Sequence, residues 1–393
     1  MTLDIDRLRA ETPGCRDGLV HFDNAGSSLQ PRPVVDAVVE HLALEARAGG
    51  YVAADTAMDR LAASYGSLAR LIGAHPDEIA YVENATRAWD LAFHAIPFEP
   101  GDRILTTTSE YASNALGFIA AARRRGARVE VVPDDEHGQI SLAELAAALD
   151  RGGVRLVAIN HVPTHDGLIN PAAEVGRLAR AAGARYLLDA CQSVGQLAVD
   201  VTEIGCDLLS ATGRKFLRGP RGTGFLYVRR DVLGELEPPF VDLRAADWTG
   251  PDSYELRPDA RRFETWERHV AGQLGQAAAA EYALAVGLGA IEERTLKLGA
   301  RLRAALGELP GVTVHDRGLR RSGIVTCTVA GVTAGEVVRR LAERRINVRT
   351  SEQTYRYDAG ARPPHRVRAS PHYFNTEDEV DLVAEAIAGL KPE

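Results

Sequence analysis

Lysine is nearly absent from this chain. Of 46 basic residues only Lys215, Lys297 and Lys391 are lysine. Arginine stays protonated, so any step that needs a neutral, nucleophilic nitrogen must use one of those three positions. Lys297 falls on a predicted exposed helix, and Lys391 lies two residues from the C-terminus. Lys215 stands in Ala211-Thr212-Gly213-Arg214-Lys215-Phe216-Leu217-Arg218-Gly219-Pro220, between the apolar Leu208-Leu209 and a glycine-rich turn. A desolvated lysine in such a place can lose its proton and form a Schiff base.

Other scarcities narrow the function. Cys15, Cys191, Cys206 and Cys327 have no metal-ligand spacing and sit in apolar sequence, which predicts reduced thiols. The net charge of −8 excludes nucleic acid as a bulk electrostatic partner. Met1–Asp6 carries no basic leader before an apolar run, and the longest aliphatic stretch, Ala277–Ile291, is interrupted by Glu281. The expectation is a cytoplasmic protein with no membrane span. His161 and His165 are separated by Pro163 and have no evident third ligand, so no metal site is expected.

What the chain does have is alternation. Strand patterns at Ile104–Thr107, Val129–Val132, Leu156–Asn160, Tyr186–Asp189, Leu208–Ala211 and Gly224–Val228 are interleaved with helical patterns at Ala112–Arg125, Leu142–Asp150 and Ala172–Ala182. This order predicts an α/β fold with a mostly parallel sheet covered by helices on both faces. Ligands of such sheets bind at the carboxyl ends of the strands. After a loop over Asp242–Thr265, a helical linker (Gln273–Gly289) leads into a smaller α+β unit. The expected domains are an N-terminal segment 1–20 packing with the small domain, a large domain 21–272, and a linker with small domain 273–393.

Asp189 ends a predicted central strand, and Lys215 follows the next one. A pyridoxal phosphate enzyme needs such a pair: a lysine for the aldehyde and an acid that keeps the pyridine nitrogen protonated. Glu83-Asn84-Ala85-Thr86 precedes a predicted helix, Arg87–Ile96, with Thr86 placed to cap it. A helix N-terminus with a hydroxyl forms an anion site, to which Thr212 and Arg214 on the lysine turn can add donors.

With Asp189-Ala190-Cys191-Gln192 and Thr212-Gly213-Arg214-Lys215 at this separation, the chain resembles the class V aminotransferase superfamily of fold-type I pyridoxal phosphate enzymes. That group includes cysteine desulfurases, selenocysteine lyases, kynureninases and isopenicillin N epimerase. The resemblance runs from Phe22-Asp23-Asn24-Ala25-Gly26 to Val367-Arg368-Ala369-Ser370. It implies a seven-stranded, mostly parallel sheet, pyridoxal 5'-phosphate as cofactor, and a homodimer with active sites at the interface. It also implies roles. Lys215 is the Schiff-base lysine, Asp189 the ring-nitrogen partner, Gln192 the partner of the phenolic oxygen, and Tyr111 a stacking ring. Ala85, Thr86, Thr212 and Arg214 surround the phosphate, Thr164 replaces an asparagine common in desulfurases, and Thr265 belongs to a segment that reaches the neighbouring subunit. Arg368 and Asn24 fall at the substrate.

One departure bears on the reaction. Desulfurases carry a sulfur-accepting cysteine on the loop before the final strand, where this chain reads Arg349-Thr350-Ser351-Glu352-Gln353-Thr354-Tyr355-Arg356-Tyr357. The leading expectation is a lyase that removes a β-substituent by breaking a carbon–sulfur bond, without a persulfide-carrying cysteine. An epimerase, with Tyr111, Tyr355 or Tyr357 as second proton donor, and an aminotransferase are the alternatives. Arg349 and Arg356 are expected to be solvated. A catalytically silent cofactor-binding regulator would not require the full Lys-Asp-Gln-Arg set.

Overall fold

The computed structural model describes residues 3–351, 357 and 365–390. Seven strands form the main sheet: β1 (Ile79–Val82), β2 (Arg103–Thr107), β3 (Arg128–Val132), β4 (Val154–Asn160), β5 (Arg185–Asp189), β6 (Leu208–Thr212) and β7 (Gly224–Val228). Their order is β1-β7-β6-β5-β4-β2-β3, and only β7 runs against the rest. The expected mostly parallel α/β sheet is therefore present. The strand absent from the sequence reading is β1. It is four residues long and buried throughout, so it shows no apolar–polar alternation.

Side chains of the central strands alternate between two apolar clusters, one on each sheet face. Val157 and Ile159 of β4, Leu188 of β5, Leu209 of β6 and Phe225 of β7 enter one cluster. Leu156, Ala158, Leu187, Leu208 and Leu226 enter the other. This period of two, buried on both sides, explains why these strands read as continuous apolar runs. Helices Ala112–Arg125 and Leu142–Asp150 begin and end where their patterns predict, the second capped by Ser141.

The small domain has its own core, which includes Leu298, Leu302, Val337, Val367 and Val383. Its antiparallel sheet comprises β8 (Val312–Val314), β9 (Val325–Val329), β10 (Arg349–Ser351) and β11 (Arg366–Ala369), in the order β8-β9-β11-β10. Helices Val270–Val286 and Leu288–Gly307 join the two parts and meet at 83°. Gly287, with φ 97°, makes the bend at a backbone angle that L side chains rarely adopt. Among the described residues no single helix is long and apolar enough to cross a membrane.

Near the N-terminus, Val20–His21 pairs in parallel with Ile346–Asn347, and Asp23 bridges Ser370. Arg9 pairs with Glu379 at 2.9 Å, and Arg345 donates to the Asp17 carbonyl at 2.8 Å. The segment before Asp23 thus lies along the small domain, which sets Asp23 beside β11. The stretch 242–265, expected as irregular, contains a short hairpin, Ala246–Gly250 with Ser253–Leu256.

Candidate active site

Asp189 ends β5 and Lys215 follows β6 by three residues, so the parallel pairing of these strands brings acid and amine to one end of the sheet. Both are buried. Burial lowers the Lys215 pKa, and the Arg214 and Arg368 cations lower it further, against opposing effects of Cys191 and Asp189. Burial pushes Asp189 up, opposed by the Cys191 N–H at 2.9 Å from Oδ1, Asn114 Nδ2 at 3.0 Å from Oδ2, and the charge of Lys215.

The lysine turn is held from behind. Arg218 is 1% exposed and has φ 62°, uncommon for a residue other than glycine. Its guanidinium donates to the Leu29 carbonyl (2.8 Å), the Tyr373 hydroxyl (2.6 Å) and Thr12 Oγ1 (2.6 Å), and lies 4.3 Å from the Phe374 ring centroid. His372 Nε2 lies 2.7 Å from the Phe216 carbonyl oxygen. Gly195 has φ 93°, and a Cβ there would meet Phe216 and Leu217 backbone at 2.3 Å. None of these partners is near Lys215 in sequence except Arg218 itself.

On the facing side, Gln192 Nε2 donates to Thr164 Oγ1 (2.9 Å) and to the Ala25 carbonyl (3.1 Å). Arg368 Nη1 also donates to Thr164 Oγ1, at 2.8 Å. Its Nη2 donates to Asp23 Oδ1 at 3.2 Å, while Arg349 Nε donates to Asp23 Oδ2 at 3.0 Å. Arg349 and Arg368 are direct cross-strand partners on β10 and β11, and one carboxylate serves both. Asp23 is the site residue that the sequence reading missed. Its partners lie more than 300 positions away, so no local pattern exposes it. Arg349, expected to be solvated, keeps an exposed side chain yet joins this cluster.

The expected phosphate donors are partly assembled. Pairing of both Val82 and Thr212 with Gly224 brings the start of helix Ala85–His94 beside the end of β6. Its cap is Asn84, which accepts from the Arg87 N–H at 2.9 Å; Thr86, expected as the cap, is the second helical residue and is exposed. Ala85 is half-buried, Thr212 is buried with Oγ1 3.3 Å from the Thr223 carbonyl, and Arg214 donates to the Gly26 carbonyl. Tyr111 stands 40% exposed at the start of helix Ala112–Arg125. Thr265 lines a small cavity with Glu83 and Arg87, and its hydroxyl donates to the Glu267 carbonyl at 3.0 Å.

Asn24 requires a correction. It is fully buried, with its amide directed at the Ser370 carbonyl (2.7 Å) and the Ser28 hydroxyl (2.6 Å), so it holds the junction with β11 rather than facing a substrate. His161 and His165 do not act as a pair either. His165 Nδ1 lies 2.6 Å from Ser351 Oγ, whereas His161 is buried and its pKa is lowered to about 4 by burial and then Arg320. Tyr357 packs against one of the two large-domain clusters. Tyr355 and Arg356 lie outside the described residues.

The model of the family described as aminotransferase class-V matches residues 20–383. The chain belongs to the class-V aminotransferase family. Its relatives include a protein of Methanothermobacter thermautotrophicus named "Probable cysteine desulfurase", 31% identical over 394 residues and covered, like this chain, to 98%. Among solved structures it is similar to the apo cysteine desulfurase of Thermococcus onnurineus NA1, with a TM-score of 0.89, 29% identity, and 99% and 98% of the two chains covered. It is also similar to the cystine C–S lyase C-DES, solved with its reaction product cysteine persulfide. There the TM-score is 0.87, the identity 25%, and the coverage 97% of this chain and 100% of that one. With the class-V family comes its cofactor, pyridoxal phosphate. The residues present fit it. A desolvated amine and a buried acid stand at adjacent strand ends, and Gln192 Oε1, Ser210 Oγ, Asn160 Oδ1 and Arg368 Nε are buried there without hydrogen-bond partners. Unpaired buried polar atoms are costly, and Asn160 and Ser210 are the register partners of Asp189, so this strand end is a place built for a polar ligand.

Proposed function

We propose that the protein is a pyridoxal phosphate-dependent lyase that cleaves the Cβ–S bond of a cysteine-derived amino acid and releases the sulfur fragment directly to solvent. The observation that carries this reading is the pairing of a complete amine–acid–arginine site with the absence of a poised cysteine. Burial raises the thiol pKa of Cys15, Cys191, Cys206 and Cys327 alike, and that of Cys327 rises to about 12. Cys191, the one beside the site, is turned against Lys215 itself. The segment 352–364 contains no cysteine in its sequence. A sulfur acceptor needs an exposed thiol of lowered pKa.

When bound, pyridoxal phosphate supplies an electron sink for the electron pair left at the substrate Cα. Asp189 holds the proton on the ring nitrogen, a role in which a cation facing it would oppose the upward push of burial. Gln192 would meet the phenolic oxygen through its Nε2, giving up its hydrogen bond to Thr164 or to Ala25 for it. The N-terminal amides of helix Ala85–His94, with Arg214, would hold the phosphate. Arg368 fixes the substrate carboxylate, exchanging Asp23 for it, and Thr164 orients the guanidinium. Lys215, kept closer to neutral by burial, takes the α-proton. The bond from Cβ to sulfur then breaks, and sulfur leaves with the electron pair as a thiolate or persulfide. Hydrolysis of the remaining fragment gives a keto acid and ammonia. A homodimer is part of the same reading. Tyr51, Met58, Leu243 and Trp248 are all more than 60% exposed, apolar side chains that a partner subunit would cover.

The test is mass spectrometry of products from a panel of S-substituted cysteines, incubated in heavy water without a keto-acid acceptor. Pyruvate, ammonia and a free thiol or persulfide are expected. Deuterium at the α-carbon of an otherwise intact substrate would replace the lyase with an epimerase or aminotransferase.

A further inference from the structure

A second carboxylate lies behind Asp189, and the reaction above leaves it without a role. Glu110 is 4% exposed, at the turn between β2 and helix Ala112–Arg125. Its Oε2 accepts from Thr106 Oγ1 at 3.0 Å. Its Oε1 accepts from the Tyr111 N–H (2.7 Å), Asn114 Nδ2 (3.0 Å) and Asn160 Nδ2 (3.3 Å). Asn114 Nδ2 also donates to Asp189 Oδ2 at 3.0 Å. The two hydrogens of one amide nitrogen therefore bridge two buried acids. The reversed amide would set its oxygen against two acceptors, so the carboxylates themselves fix this orientation.

Burying a carboxylate is costly, and Thr106 and Asn160 extend from neighbouring strands to meet this one. The charge that faces Glu110 is that of Asp189; its other neighbours are the neutral Thr106, Asn114, Asn160 and the Tyr111 backbone. Burial, and then the Asp189 charge, push Glu110 up to about 7.

We infer that Glu110 is a positioning residue for Asp189. Through the bridging amide of Asn114 it fixes the Asp189 carboxylate and adds negative charge behind it, and through the Tyr111 N–H it fixes the start of the helix that carries Tyr111. The inference rests on the proposed pairing of Asp189 with a protonated ring nitrogen. Above about pH 7, where Glu110 carries its charge, negative charge behind that pair favours the protonated cofactor, so its removal should move the titration to lower pH.

The experiment compares wild type, Glu110→Gln, Asn114→Ala and the double variant, each reconstituted with pyridoxal phosphate. The visible absorbance of the bound cofactor is titrated with pH, and thermal unfolding is followed in parallel. Glu110→Gln should bind the cofactor and show a titration midpoint lower by about half a unit to one unit. Asn114→Ala removes a donor that stabilises the Asp189 carboxylate and leaves the Glu110 charge in place, so it should shift the midpoint upward, and the double variant should depart from the sum of the two because they act in one chain of contacts. Should Glu110→Gln not fold, the upward shift of Asn114→Ala tests the same bridge from its other end. Midpoints at the wild-type value, or shifts that add in full, would overturn the inference while leaving the site intact. Wild-type protein that takes up no cofactor would overturn the reading of the site, and this inference with it.

Discussion

Lys215 and Asp189 meet because they end adjacent strands of one sheet, whereas Arg368, Asp23 and Thr164 meet only where three distant segments converge. The first pair is held by a parallel ladder with apolar clusters on both faces. The second group is held by hydrogen bonds between those segments, where Arg368 already has a carboxylate partner in Asp23. The sheet side is therefore fixed before any ligand arrives. In the proposed reaction the Arg368 side exchanges one anion for another, so its energetics change on binding while those of the sheet side need not.

The largest effect should come from the sheet side. Lys215→Ala removes both the amine that holds the cofactor and the base, so turnover should fall by ~10³-fold or more, with loss of the visible absorbance of the bound cofactor. Activity near wild type would break the comparison at its fixed end.

Asp23→Asn tests that exchange. It leaves a buried arginine without a carboxylate partner, which should cost the ligand-free protein about 3 kcal/mol. A substrate carboxylate would restore that partner. An unreactive amino acid should therefore raise the thermal midpoint of Asp23→Asn more than that of wild type. Equal increments would mean that Arg368 does not change partners.

An effect confined to acid pH belongs to the end of β4. His161 titrates at about 4 in the fold, against an ordinary value near 6.5, because burial disfavours its charged form. Its contribution to stability is whole above the unfolded value and is lost as pH falls from there toward 4, by up to about 3 kcal/mol. His161→Gln should flatten that part of the stability–pH curve. An unchanged slope would place the acid sensitivity elsewhere, for instance in His372, whose pKa is also lowered by burial.

The same division decides what could be read from sequence. A strand ending in Asp189 and a strand followed by Lys215 are local patterns, and the crossover rule for parallel sheets sets their ends side by side. Glu110 was visible as a residue but not as a partner of Asp189, because its role depends on how a helix start meets a neighbouring strand. Asp23 was hidden for a stronger reason: it reaches Arg368 only through the bridge from Asp23 to Ser370 across the whole chain. Asn24 was misplaced for the same cause, since it sits on that bridge and its amide is occupied there. Arg218 carries no signal either, since a buried cation caged by Tyr373 and Phe374 looks in sequence like any surface arginine.

The most direct test of direct sulfur release is the intact mass of the protein during turnover of cystine or an S-substituted cysteine. The prediction is a chain mass that does not change while pyruvate and a small-molecule thiol or persulfide accumulate in equal amounts. A chain that gains the mass of one sulfur atom, lost again on reduction, would show that one of the four cysteines accepts sulfur and would contradict the account.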